Sequence, residues 1–119
     1  MSTEYAILLP GDESKWSSAT PEDQAAMYAK HNQFMQLLAE RGHTMAGGAE
    51  LTPSKSAQVV RGSLDTVTVT DGPYAETVEQ LTGFYLVSTE NLDDLLNVCG
   101  ILAGDGAVEV RATVVHEGM

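Results

Sequence analysis

Gly83-Phe84-Tyr85-Leu86-Val87-Ser88, followed closely by Asn91-Leu92-Asp93-Asp94, decides the architecture of this 119-residue chain. The first stretch is rich in aromatic and β-branched residues and reads as a strand. Asn91 is a helix N-cap, and Asp93 and Asp94 place negative charge in the first turn, where the helix dipole favours it. The helix runs to about Ala103 and stops at Gly104. Ala107 to His116 then alternates, with Val108, Val110, Ala112 and Val114 on one side, as a strand does. The C-terminal part is therefore β-α-β.

The N-terminal part repeats that order. Tyr5-Ala6-Ile7-Leu8-Leu9 is a short apolar strand ended by Pro10-Gly11. Pro10 to Ala19 is polar and flexible, with Trp16, the chain's single tryptophan, in the middle. Thr20 caps a second helix, with Pro21 at its first position and Glu22 and Asp23 in its first turn, running to about Arg41 before Gly42. A strand from His43 to Leu51 follows, and its small residues, Gly47-Gly48 among them, predict a bulge or a close backbone approach. Between the halves, Thr52 to Ser56 is turn-like, Gln58-Val59-Val60-Arg61 is extended and Gly62-Ser63 is a turn. Asp65 to Thr70 alternates as a half-exposed strand until Asp71-Gly72-Pro73-Tyr74 breaks it. Two helices on one face of a mainly antiparallel sheet is the ferredoxin-like α+β arrangement, expected as one domain over 1–119.

Composition narrows the function. Six Lys and Arg stand against 17 Asp and Glu, a net charge of −11. Such a surface repels phosphate backbones, so neither nucleic acid nor an anionic membrane is expected as a partner. No apolar run reaches the length of a membrane span, and no basic start precedes an apolar run as in a signal peptide. The single cysteine excludes a disulfide framework. Three dispersed histidines without H-x-x-x-H or H-x-H spacing give no defined metal site, and no nucleotide-binding glycine motif occurs, so no cofactor is expected.

The first helix places Met27, His31, Phe34 and Leu38 on one stripe, which must lie on the sheet. His31 is then an ionisable ring among apolar neighbours. It is either a core or edge histidine bonded to a backbone carbonyl, or a general acid/base held at the helix–sheet seam. The second helix lines up Leu92, Leu96, Cys99 and Ala103, flanked by Leu95 and Leu102. Cys99 reads as an inert small hydrophobe with a raised pKa, and Gly100 as a mark of close approach to the helix. His43 reads as solvent-facing, and His116 as a surface or interface residue.

Asp71-Gly72-Pro73-Tyr74-Ala75-Glu76-Thr77, then Glu79-Gln80-Leu81 and Gly83-Phe84-Tyr85-Leu86, closely resembles the signature of the YCII-related proteins of the DGPF type. Gly104-Asp105-Gly106-Ala107-Val108-Glu109-Val110-Arg111 is similar to their closing segment. Gly11-Asp12-Glu13 with Trp16, and Ser18-Ala19-Thr20-Pro21-Glu22, are similar to their opening. The resemblance covers nearly the whole chain, most specifically from Asp71 to Leu86. It implies a dimeric α+β barrel, in which two sheets pack face to face in a homodimer, and a bacterial cytoplasmic protein often encoded beside extracytoplasmic-function sigma factors. It also implies a histidine–aspartate pair. His31, upstream of Gly47-Gly48, matches the placement of the family's histidine. The family's aspartate lies after the second helix in an Asp-Pro-aromatic motif; Gly104-Asp105-Gly106 departs from that, which makes Asp71 the candidate substitute. Tyr74 stands for Phe, Val78 for the common Lys, and Thr82 for the first of two glycines.

The functional expectation is a small-molecule enzyme in which His31 moves a proton and Asp71 orients its ring, with Trp16, Gly72, Pro73, Tyr74 and Glu76 near the ligand. The alternatives are a non-catalytic ligand-binding or regulatory dimer tied to a sigma-factor system, and an oxygenase-like barrel that needs no cofactor. A homodimer is expected because the sheet face without helices needs cover, with Tyr85, Val87 and one set from the last strand on that face.

Overall fold

The structure is a computed structural model and describes residues 1–116. In chain order the elements are β1 (Thr3–Asp12), α1 (Glu13–Ser17), α2 (Pro21–Glu40), β2 (Thr44–Glu50), β3 (Gln58–Arg61), β4 (Thr68–Asp71), β5 (Glu79–Thr89), α3 (Leu92–Ala103) and β6 (Glu109–Ala112). The main sheet is antiparallel in the order β2-β5-β1-β6, and β3 and β4 form a separate hairpin. With that hairpin set aside, this is the ferredoxin-like β-α-β-β-α-β order.

The helix caps fall where the sequence puts them. Thr20 accepts a hydrogen bond from the Asp23 backbone N–H at 3.1 Å, and Asn91 does the same for Asp94. Gly42 turns the chain out of α2 at φ +83°. The first strand, by contrast, does not end at Pro10. It continues to Asp12 because β5 carries an extra residue, Thr82, opposite the Leu9/Pro10 step. The bulge accommodates a proline that cannot donate to the ladder, and the Thr82 hydroxyl donates to the Leu9 carbonyl at 2.7 Å. The expected flexible stretch contains α1, capped by Asp12, whose carboxylate accepts from the Ser14 N–H at 3.0 Å.

Ile7, Phe34, Leu38, Val87, Leu95, Val98 and Cys99 form the core between the sheet and the helices α2 and α3. Side chains alternate along β5, so Tyr85 and Val87 both point toward the helices; Val87 is sealed and Tyr85 packs on the Phe34 ring, 5.3 Å between centroids. The expected uncovered face is therefore the wrong one. The face without helices carries Phe84 and Leu86 of β5, paired with Leu8 and Ala6 of β1. On α3 the buried line is Leu95, Val98 and Cys99, whereas Leu92 and Leu96 are exposed, so the expected stripe is rotated. Gly100 is exposed and nothing approaches it.

Gly48 meets the expectation made for β2. Its φ is +154°, and a Cβ there would lie 2.6 Å from the Phe84 carbonyl oxygen and 2.8 Å from the Tyr85 ring. The same strand has a bulge between Met45 and Gly47. The β3–β4 hairpin leaves Val60, Leu64, Val67 and Val69 exposed. The radius of gyration is 16.6 Å, against about 13.5 Å for a compact chain of this length.

Candidate functional site

The N-terminal half of α2 overhangs the sheet. Phe34 and Leu38 are sealed, His31 is half-buried and Met27 is exposed, so the helix leaves the core one turn before His31. Beneath this overhang lies a groove of about 1460 Å³. Its walls come from the end of β1, α1, the α2 overhang, the end of β2, Tyr85 and the loop after α3.

His31 stands on that wall, and its Nδ1 lies 2.7 Å from the Tyr85 hydroxyl. The contact crosses from helix to sheet, and Gly48 lets the Tyr85 ring sit against β2. His31 Nε2 has no hydrogen-bond partner among the described residues. Burial pushes the imidazole pKa below its ordinary 6.5, and the Glu50 carboxylate pulls the other way. Burial and Glu50 together raise the Tyr85 phenol, so Tyr85 stays protonated at neutral pH. Glu50, at the end of β2, accepts a hydrogen bond from Tyr28 at 3.1 Å. Tyr28 in turn meets Trp16 edge-to-face, 5.6 Å between centroids at 88°.

This arrangement can move a proton. When Nδ1–H donates to the phenol oxygen, Nε2 offers its lone pair to the groove as a base. When the phenol donates to Nδ1, Nε2–H is a hydrogen-bond donor to the groove; the general acid is the imidazolium formed on proton uptake, with Nδ1–H held by the phenol oxygen. The histidine is neutral near pH 7, and Glu50 stabilises the imidazolium that forms on proton uptake.

The structure does not bring Asp71 to His31. Asp71 ends β4, exposed, paired with Gln58 in the separate hairpin and away from the groove walls. The reason is topological: Gly72, at φ +98°, turns the chain back, its N–H held by the Ala57 carbonyl at 2.8 Å, and the hairpin projects from the main sheet. Of the expected ligand residues, Trp16 lines the groove. Pro73 and Tyr74 line a smaller hollow of about 330 Å³ with Leu51 and Ser54, and Gly72 and Glu76 line neither.

Tyr85, Glu50 and Tyr28 were missed as site residues. Tyr85 was visible as a strand residue, but its pairing with His31 depends on the register of two distant elements. Glu50 had a weak signal as a lone acid closing a strand of small residues.

His43 is corrected. It is buried, its Nδ1 lies 2.6 Å from the Thr89 hydroxyl, and its Nε2 lies 2.8 Å from Asp94. Arg41 also donates to Asp94, at 2.9 Å. The hydrogen bonds from His43 and Arg41 hold the Asp94 carboxyl below its ordinary value. This cluster ties the start of β2, the end of β5 and the start of α3 together. Cys99 is buried and its thiol is pushed up to about 11, unsuited to nucleophilic work. No group of three or more His, Cys, Asp or Glu is placed to hold a metal among the described residues.

The YCII-related domain profile matches residues 3–112. The chain belongs to the YCII-related family. An uncharacterized protein of Rhizobium meliloti (strain 1021) is similar to it, 32% identical over 117 residues that cover 95% of this chain and 94% of that protein. No helix of this family member is long and apolar enough, among the described residues, to cross a membrane.

Proposed function

We propose that this YCII-related chain is a small-molecule enzyme of proton transfer, with His31 as the acid–base group, Tyr85 setting its tautomer and Glu50 balancing its charge. The observation that carries the reading is the 2.7 Å contact between His31 Nδ1 and the Tyr85 hydroxyl on the groove wall, with Nε2 left free. No activated nucleophile accompanies it among the described residues, so isomerisation, elimination or water-assisted hydrolysis fits better than covalent catalysis. The test is hydrogen–deuterium exchange at activated C–H bonds of a panel of small carbonyl compounds in D₂O, followed by proton NMR. Exchange lost in His31→Gln and slowed in Tyr85→Phe supports the reading. Exchange that survives His31→Gln overturns it, and so does its absence with the unaltered protein, which leaves the groove a site for binding alone.

The same reading places the chain in the DGPF-type branch and in a homodimer. The Asp71-Gly72-Pro73-Tyr74 signature supports the branch, its turn held by the Gly72 N–H. The dimer is supported by the half-buried Ala6, Leu8, Phe84 and Leu86 on the sheet face without helices, and by a projecting hairpin with four exposed apolar residues. A two-stranded hairpin alone is marginal in water and gains stability when covered.

A further inference from the structure

Trp16 and Tyr28 form an aromatic corner in the groove that also holds His31, and Glu50 closes that corner by accepting from Tyr28. We infer that this corner takes a small organic cation, a protonated amine on an apolar or planar body, with the ammonium group on Glu50 and the body against Trp16. This rests on the groove assigned above as the substrate site and names the class of substrate it admits.

Three features carry the inference. First, among the described residues the groove walls hold no arginine, the side chain suited to gripping a carboxylate or phosphate in bidentate fashion. Second, the wall carboxylates differ in how they are engaged. Asp12 is held by Ser14 and Glu13 by Ser54, whereas Glu50 has a phenol at 3.1 Å and keeps acceptor capacity. Ammonium recognition needs such a carboxylate beside an apolar surface. Third, indole and phenol faces attract cations through their ring quadrupoles, and Met27 and Met35 extend the apolar surface without adding charge. The wall lysines, Lys15, Lys30 and Lys55, are outnumbered by six carboxylates, and the chain's net charge of −11 draws cations toward the groove.

The test uses three probes of one shape: benzylamine, benzyl alcohol and benzoate. Trp16 is the only tryptophan, so its fluorescence and its indole N–H resonance report occupancy of the corner directly. The expected order is benzylamine ahead of benzyl alcohol and benzoate last, with a gap of about fivefold between amine and acid, the effect of a charge pair on an exposed carboxylate. Glu50→Gln should erase the preference for the amine while the alcohol still binds. His31→Gln should keep the preference. Benzoate binding as well as the amine, a preference that survives Glu50→Gln, or no response of Trp16 to any probe overturns the inference. An amine preference retained where deuterium exchange is absent would defeat the proton-transfer reading and leave this one standing.

Discussion

His31 Nδ1 and the Tyr85 hydroxyl meet at 2.7 Å across the seam between α2 and β5, where the helix leaves the core. Two opposed influences act on that imidazole. Burial disfavours its charged form, and Glu50 favours it; burial is the larger. Glu50→Gln removes only the favourable influence, so the His31 pKa should fall further below 6.5. An NMR titration of the imidazole carbon protons reads this directly. A rise, or no movement, would show that Glu50 does not act on His31.

The same shift sets a pH dependence of stability. The folded imidazole binds its proton less readily than the unfolded one, so the unfolded chain carries more protons between the lowered folded value and 6.5. This contribution to stability is present above 6.5 and is lost as pH falls through that window. Urea midpoints measured across it should decline with falling pH in the native chain. In His31→Phe the decline should be smaller, by the share that His31 contributes.

Gly48→Ala should damage fold and site together. The added methyl would stand 2.6 Å from the Phe84 carbonyl and 2.8 Å from the Tyr85 ring, at a φ of +154° that an L side chain rarely adopts. Relief requires β2 to move off β5 or the Tyr85 ring to move off its seat. Overpacking of this kind costs about 1–3 kcal/mol. The His31 ring resonances should shift even in the fraction that stays folded. Unchanged His31 resonances would mean that Gly48 does not seat Tyr85.

Thr89→Val tests the buried His43 cluster. The Thr89 hydroxyl meets His43 Nδ1 at 2.6 Å and accepts from the Asn91 backbone N–H at 2.9 Å. Valine keeps the shape and leaves both groups without a partner, at a cost of about 1–3 kcal/mol in urea unfolding. The groove lies elsewhere, so Trp16 fluorescence and the His31 titration should be unaltered. Acid should weaken the same cluster, because Asp94 is held below its ordinary 3.8; its contribution is present above that value and is lost as pH falls through the lowered one.

The architecture was legible because its signals are local. Thr20 and Asn91 announce their helices through caps, Gly42 ends one, and Gly48 marks the close approach of β2 to β5. What escaped depends on contacts between distant residues. Strand β1 passes Pro10 only because Thr82 bulges from β5, 72 positions away. His43 looked solvent-facing because neither Thr89 nor Asp94 is near it in sequence. The phase of a strand is not readable from aromatic content either: Phe84 and Tyr85 are adjacent and similar, and only the seating of Tyr85 on Phe34 decides which of them faces the helices. The site was half legible for the same reason. His31 stood out as a lone ionisable ring on an apolar stripe, whereas its partner came from another element.

Asp71 was the sequence candidate for the carboxylate beside His31, and the fold puts Glu50 in that neighbourhood and Asp71 at the exposed end of β4. Asp71→Asn should therefore leave the His31 titration where it is, while Glu50→Gln moves it down. The two variants are conservative, and Asp71 is exposed, so loss of folding would not explain a null result. Phe84 and Leu86 lie on the sheet face proposed for the homodimer. Leu86→Arg then serves as the control, since a charge on the open sheet face should give a monomer by light scattering at micromolar concentration. A His31 titration that responds to Asp71→Asn in the dimer and not in Leu86→Arg would place Asp71 across the interface. A response in both would return Asp71 to the site of its own chain, against the geometry described above.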